Sequence, residues 1–270
     1  KYRSVELVLI DPNYKGLIDP LEVQSHMSSS VGLLSFMTVN HEIGTIQPIQ
    51  ELCSLAHQYG AFLHTDAAQA GMFLDLDVKD SGVDLMSISA HKIYGPKGIG
   101  SLFIRRDLQN KIQPLIHGGG QENGLRSGTL PTMLCVGFGK ACDLIKIERE
   151  KNHEHLLNVS NKFLERLKEK APNISLNGDT FLRHPGNINI QFPGFDAQDL
   201  LQRLQPFIAA STGSACTSGS EEPSHVLSAL GMHPSEARSC IRFSFGTSTT
   251  EEDILNAVDA IVEILNSVHD

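Results

Sequence analysis

Short apolar runs alternate along the chain with stretches whose apolar residues recur every three or four positions. Val5–Ile10, Gly32–Thr38, Ala61–His64, Leu85–Ser89 and Ser101–Ile104 read as strands. Between the second and third, Pro48–Tyr59 carries Ile49, Leu52, Leu55, Ala56 and Tyr59 at helical spacing. A strand, that helix and a second strand make a βαβ unit, the repeat of a mostly parallel sheet. Residues 139–171 form a long charged helical stretch with apolar Leu144, Ile147, Leu156, Val159, Phe163 and Leu167, spaced unevenly enough to predict a kink or break. Beyond it the pattern predicts strands Asn187–Phe192, Phe207–Ala210 and Cys240–Phe245, with helices Asp196–Gln205, Pro223–Leu230 and Glu251–Val268. Thr249 and Glu252 predict a capping box for the last helix, with Leu255, Val258, Ile261, Val262 and Leu265 striping one face. The expectation is an α/β chain in two parts. Residues 1–138 form a large domain on a mostly parallel sheet, and residues 139–270 a smaller α+β domain.

Composition narrows the function more than the fold. The 270 residues are 40% hydrophobic and 20% charged, with 23 Gly and 12 Pro, an ordinary globular mixture. The net charge of −9 argues against nucleic acid as a direct partner, and the basic Lys97, Arg105, Arg106 and Lys111 are scattered, not striped. No apolar run approaches membrane-spanning length. The five cysteines, at 53, 135, 142, 216 and 240, form no C-x-x-C pair, which suits free thiols in a reducing compartment. His117, His153 and His155 offer no metal-ligand spacing, so no metal is expected.

The candidate chemistry lies just past the strands, where parallel sheets collect ligands. In "HTDAAQ" Asp66 follows a strand, with Gln69 one turn on; in "SISAHKIYGPKGIG" Lys92 follows another. Alone, Asp66 reads as a helix N-cap and Lys92 as a surface lysine. Together they match what pyridoxal 5′-phosphate (PLP) requires, a carboxylate for its protonated pyridine nitrogen and a lysine to bond its aldehyde. Burial and a neighbouring cation are expected to favour the neutral amine of Lys92. Ser89 and His91 add a hydroxyl and a ring N–H suited to a phosphate. The glycine-rich "GGGQENGLRSGT", residues 118–129, matches no P-loop or dinucleotide fingerprint. In "STGSACTSGSEEPS", residues 211–224, small residues surround Cys216, the setting of a loop thiol available for chemistry.

From about Val5 to Val262 the chain resembles the class V, fold-type I PLP enzymes, and within them the cysteine desulfurases of the NifS/IscS type. The motifs are "NHEIGTIQPI", "HTDAAQ", "DLMSISAHKIYGPKGIG", "HGGGQENGLRSGT", "NGD", "STGSACTSGSEEPSHVL" and "IRFSFG" followed by "TTEED", all in order. The resemblance implies that Lys92 is the Schiff-base lysine, Asp66 the pyridinium partner and Gln69 the ligand of the ring hydroxyl. It implies Ser89 and His91 as phosphate ligands, His91 also lying beside the catalytic lysine. Thr129 would reach the phosphate of a neighbouring subunit, implying a homodimer. Asn40 and Arg242 would bind substrate, the arginine clamping its carboxylate through a planar fork. Cys216 would be the nucleophile, so that L-cysteine becomes L-alanine and leaves a persulfide on Cys216 for iron–sulfur scaffold or tRNA-thiolation proteins. The implied compartment is the cytoplasm, or the mitochondrion if a targeting segment belongs to the protein.

Two departures from the family pattern stand out. His41 occupies the place of a second asparagine that usually contacts the PLP ring hydroxyl; a histidine can still donate there, but it titrates. The family's amino-terminal portion has no counterpart in these residues, which predicts a sheet with an exposed edge and a weakened PLP site, or one completed by a second chain. Selenocysteine lyase shares the same site. A degenerate, non-catalytic partner protein would have no need to keep Lys92, Asp66, Gln69, Arg242 and Cys216 together.

Overall fold

The structure is a computed structural model and describes residues 5–205, 207–213 and 224–267. Its first half is built on a sheet of four strands in the order β1 (Leu33–Met37), β2 (Phe62–Asp66), β3 (Leu85–Ser89) and β4 (Gly100–Ile104). The first three are parallel and β4 runs antiparallel to β3. A short helix, α1 (Pro20–Ser25), precedes the sheet and buries Val23. The crossover from β1 to β2 is α2 (Ile49–Gln58), which buries Ile49, Leu52, Cys53, Leu55 and Ala56 on one face. The β2–β3 connection carries α3 (Val78–Ser81), capped by the Asp77 side chain, which accepts the Lys79 N–H (2.7 Å).

One helix, α4 (Thr132–Lys170), runs unbroken where a kink was expected. Uneven apolar spacing is explained by a change of partner along its length. Ala141 and Leu156 belong to the core under the first sheet, while Val159, Phe163 and Leu167 enter a second core. Residues 138 and 139 therefore lie within one continuous helix.

The second core is walled by a three-stranded antiparallel sheet of β5 (Ser175–Asn177), β6 (Asn187–Gln191) and β7 (Cys240–Ser244). Against it pack α5 (Ala197–Leu204) and α8 (Glu251–Ser267), while α6 (His225–Ala229) and α7 (Pro234–Ala237) lie to one side around Ile43 and Cys240. Phe163 meets the rings of Phe243 and Phe245 at 5.0 and 5.2 Å. The cap of α8 is reciprocal but falls one residue later than expected: Thr250 Oγ1 accepts from Asp253 N (3.1 Å) and Asp253 Oδ2 accepts from Thr250 N (2.8 Å). With that start, Ile254 is buried in place of the expected Leu255. Two expected strands are absent. Among the described residues Val5–Ile10 pairs with no strand, and residues 207–210 make only a turn leading to a single bridge, Ser211 with Arg242.

A polar network anchors the amino end of β3. Asp84 is fully buried and accepts from Leu63 N (2.7 Å), His57 Nε2 (2.9 Å) and Arg105 Nη1. Three donors satisfy a carboxylate that would otherwise be costly inside.

His184 joins the two halves. Its ring lies 4.3 Å from that of Phe73, and its Nδ1 accepts from Gly186 N (2.8 Å). Burial, helped by the nearby Arg183 charge, lowers its pKa from 6.5 to about 4. Both folded and unfolded chains are neutral at this position above pH 6.5, so stability there is complete. As the pH falls from 6.5 towards 4, only the unfolded chain takes the proton, and about 3 kcal/mol is lost. Urea unfolding at neutral pH and near pH 4.5 is expected to show that loss. His184→Asn, which keeps an acceptor for Gly186 without titrating, is expected to shrink the difference between the two pH values.

Candidate active site

The parallel strands end at one rim, and alternate residues share a face. The register aligns Met37 with Asp66 and Asp66 with Ser87. Ser35, His64, Asp66, Ser87 and Ser89 therefore project to one side, while Leu34, Leu63, Thr65 and Met86 project to the other and are buried. The polar side is open. Its serines and histidine bond across strands: Ser35 Oγ lies 2.8 Å from His64 Nδ1, and His64 Nε2 lies 2.9 Å from Ser87 Oγ. Burial pushes the His64 pKa down, opposed by the charge of Asp66 two residues on.

Asp66 closes β2. Its Oδ1 accepts from Ala68 N (2.9 Å), the local cap such an acid favours, and its second oxygen has no hydrogen-bond partner among the described residues. Gln69, half-buried in the turn that follows, also makes no side-chain hydrogen bond among the described residues. At the end of β3, Ser89 Oγ and His91 Nδ1 lie 2.9 Å apart. The chain then makes a single 3₁₀ turn, Ala90–Ile93, that ends on Tyr94 in the left-handed conformation (φ 60°). Lys92 is on this turn and is exposed. The expected burial of its amine does not hold here. The Tyr94 hydroxyl accepts from Thr247 N (3.0 Å), tying the lysine turn to the chain that follows β7.

The third arm is the loop Asn40–Thr45, at the end of β1. Val39 and Ile46 bridge its base, and Asn40 Oδ1 accepts from the amides of Glu42 (2.9 Å) and Ile43 (3.0 Å). Gly44 has φ +77°, and a Cβ there would stand 3.1 Å from the Asn187 carbonyl oxygen, so the loop seats on the second sheet only with glycine. The His41 carbonyl accepts from Asn187 Nδ2 (3.0 Å) and Arg242 Nη1 (3.2 Å). Arg242, on β7, is thereby brought to the rim of the first sheet.

His41 is the electrostatic centre of this assembly. Burial lowers its pKa, reinforced by the charges of Arg242, His225 and Lys92 and opposed by Asp66. Its Nδ1 is buried without a partner, and so is Nε of Arg242, among the described residues. A neutral ring nitrogen and a guanidinium N–H left unpaired inside a protein are places where a ligand atom fits. A free carboxylate oxygen, a lysine, a serine–histidine pair and this unpartnered ring nitrogen form a donor set that fits PLP.

Not every expected residue is brought in. Asn40 commits its oxygen to the loop and has only its amide nitrogen left for a ligand. Thr129 is exposed in the stretch before α4. Cys216 lies outside the described residues. Three residues at the site carry no expectation from sequence: His64, Glu42 and Tyr94. His64 is two positions from Asp66 on a strand, so alternation is the signal that points to it; nothing in the spacing of Glu42 or Tyr94 does.

The aminotransferase class-V family pattern matches residues 1–256. A protein named cysteine desulfurase IscS, from Rickettsia bellii, is 42% identical over 267 residues, covering 99% of this chain and 64% of its own. One from Dictyostelium discoideum, named a probable mitochondrial cysteine desulfurase, is 44% identical over 250 residues, 93% of this chain and 54% of its own. The chain thus spans less than two thirds of the length of either relative. Among solved structures, a NifS-like protein from Rickettsia africae superposes with a TM-score of 0.87 at 31% identity, covering 95% of this chain and 69% of that one.

The two cysteines packed beside these elements are poor nucleophiles. Burial raises Cys53 to about 11, with Asp84 adding to the shift, and Cys240 to about 12. At pH 8 the folded chain is expected to leave both unmodified by iodoacetamide while denatured chain reacts at both, as peptide mass analysis will read. Modification of either in the folded chain would contradict their burial.

Proposed function

Because the chain belongs to the class-V aminotransferase family, we propose that it is the PLP- and thiol-bearing portion of a cysteine desulfurase. The substrate is L-cysteine, and the products are L-alanine and a persulfide on Cys216. The observation that carries this reading is the convergence of Asp66, Ser89, His91 and Lys92 at one rim, with Arg242 delivered beside them against the His41 carbonyl.

When bound, PLP supplies an electron sink for charge at the substrate α-carbon. Asp66, whose second oxygen is free among the described residues, would hold the proton of the ring nitrogen, and Gln69 and His41 Nδ1 would orient the ring hydroxyl. Ser89 and His91 would bind the phosphate. Arg242 holds the substrate carboxylate, with the Asn40 amide nitrogen beside it. Lys92 Nζ takes the α-proton and returns a proton on the way to alanine. The Cys216 thiolate attacks the substrate sulfur: the S–S bond forms, the substrate C–S bond breaks, and the carbon that loses sulfur gains a proton. Sulfur and hydrogen balance without an external oxidant or reductant.

Residues 1–138 serve as the cofactor-binding domain and 139–270 as the domain that carries Cys216. Thr129, being exposed, serves the phosphate of a second copy, so the working unit is a homodimer. The persulfide passes to an acceptor for iron–sulfur cluster assembly or tRNA thiolation. The likeness to a bacterial relative supports a cytoplasmic setting, and the likeness to a relative named mitochondrial supports that organelle as the other setting.

The test is reconstitution with PLP and L-cysteine. A visible absorption band that Lys92→Ala removes is expected, with alanine and enzyme-bound sulfur formed in equal amounts. Cys216→Ala is expected to keep the band and to lower alanine formation on the order of 10³-fold or more. A band unaffected by Lys92→Ala, or sulfur transfer unaffected by Cys216→Ala, overturns the assignment.

A further inference from the structure

The "NGD" motif, residues 177–179, takes no part in the chemistry above, and neither does Arg183 four residues on. Both lie against the loop that carries Asn40 and His41. The Arg183 guanidinium donates to four backbone carbonyls. Nη1 reaches those of Asp179 (3.1 Å) and Asn177 (3.5 Å), and Nη2 those of Ile43 (3.2 Å) and Asn187 (2.9 Å). Ile43 belongs to the loop, Asn187 opens β6, and the other two are the ends of the motif.

The motif is shaped to lie on that loop. Gly178 has φ +86°, and a Cβ there would stand 2.8 Å from Thr45 Oγ1 and 2.9 Å from the Ile43 carbonyl oxygen, so the turn comes this close only with glycine. Asp179 N donates to Thr45 Oγ1 (3.2 Å), and Asp179 Oδ1 accepts from the amides of Phe181 and Leu182 (both 2.8 Å), which turns the chain back to the loop. There Ile46 N donates to the Leu182 carbonyl (2.9 Å) and His184 N to the Gly44 carbonyl (2.8 Å). Carbonyl oxygens brought together in this way repel one another. A guanidinium, planar and with five N–H donors, is the side chain able to bind several of them at once. Burial lowers the Arg183 pKa from 12.5 to about 10, opposed by the charge of Asp179. Its Nε is buried without a partner among the described residues. A cation desolvated to this degree is costly, and an apolar side chain would fill the space without that cost. Packing alone does not account for an arginine here; four carbonyls from three pieces of chain do.

The same contacts lead on to the substrate arm. Asn187, whose carbonyl accepts from Arg183, donates its side-chain N–H to the His41 carbonyl (3.0 Å), and Arg242 Nη1 donates to that same oxygen (3.2 Å). We propose that the "NGD" turn is the seat of the Asn40–Thr45 loop, and that Arg183 is the positioning residue that locks the loop there and so fixes where Arg242 stands for the substrate carboxylate. Arg183 touches neither substrate nor cofactor; it acts through Asn187 and the His41 carbonyl. The consequence for substrate rests on the desulfurase reading, but the seating itself is measurable without PLP.

Arg183→Met keeps most of the side-chain length and removes every donor; Arg183→Lys keeps the charge but offers one nitrogen where two are used. In the chain without cofactor, amide hydrogen exchange at Gly44, Ile46 and His184 is expected to speed up about tenfold in Arg183→Met and about threefold in Arg183→Lys. The amides of Leu63 and Asp84, which lie in the first sheet away from the loop, are expected to exchange as in wild type. In the PLP-loaded chain, the KM for L-cysteine is expected to rise about tenfold in Arg183→Met and about threefold in Arg183→Lys, with kcat and the cofactor band held. If Arg183→Met does not fold, Arg183→Lys decides by the same two measurements. Exchange unchanged at the three loop amides, or raised equally at Leu63 and Asp84, overturns the proposal. So does an unchanged KM, or a fall in kcat together with a lost cofactor band. If the wild-type chain with PLP makes no alanine from L-cysteine, the desulfurase reading falls, and the exchange comparison alone decides whether Arg183 seats the loop.

Discussion

One backbone carbonyl brings Arg242 to the rim of the first sheet. The oxygen of His41, at the carboxyl end of β1, receives N–H groups from Asn187 and Arg242, which belong to the other sheet. Without that meeting point, Arg242 is a residue on a small antiparallel sheet with no reason to face the lysine turn. The Asn40–Thr45 loop presents the carbonyl because Asn40 folds it from within and Gly44 lets it lie flat on Asn187. Further ties, among them Arg183 to the Ile43 carbonyl, His184 N to the Gly44 carbonyl and Thr247 N to the Tyr94 hydroxyl, join the same two parts near the same place. Hydrogen bonds of this kind contribute only about 1 kcal/mol each to stability. Their weight here is geometric: they decide which side chains share a site.

The first sheet supplies the rest by alternation. A slip of one residue in β2 would turn Asp66 and His64 into the core and bring Leu63 and Thr65 out, so the register is strongly held by burial on the α2 side. The opposite side carries the polar row Ser35–His64–Ser87, satisfied across strands. At the margins of that side Leu33 and Leu102 are exposed, and neither β1 nor β4 has an outer partner strand among the described residues. An exposed edge, as the family resemblance led one to expect, is thus present among the described residues.

Much of this was readable before folding. Leu85–Ser89 appears as a strand with the bounds its apolar run gives, and Pro48–Tyr59 holds the helix α2, because the buried residues of both enter one core. Readings failed where the neighbour changed or was missing. The uneven stripe of α4 suggested a break; it is one helix that serves two cores in succession. Val5–Ile10 has the composition of a strand but, among the described residues, no strand beside it to pair with. The α8 cap moved by one residue because Thr249 and Thr250 are equivalent by type, and only the turn from Gly246 selects the second.

Local pattern was enough to name the chemical groups at the strand ends: the acid at 66, the serine and histidine at 89 and 91, the lysine at 92. Those choices depend on a short-range rule, that a parallel strand delivers whatever follows it to a common rim. The company those groups keep depends on contacts between residues far apart in the chain. That His41 is buried with an unpartnered nitrogen, that Arg242 leans on its carbonyl, and that Ser224 donates to Glu42 follow from how the two sheets dock. No spacing along a chain encodes a docking geometry, so these features became visible only when the chain was folded.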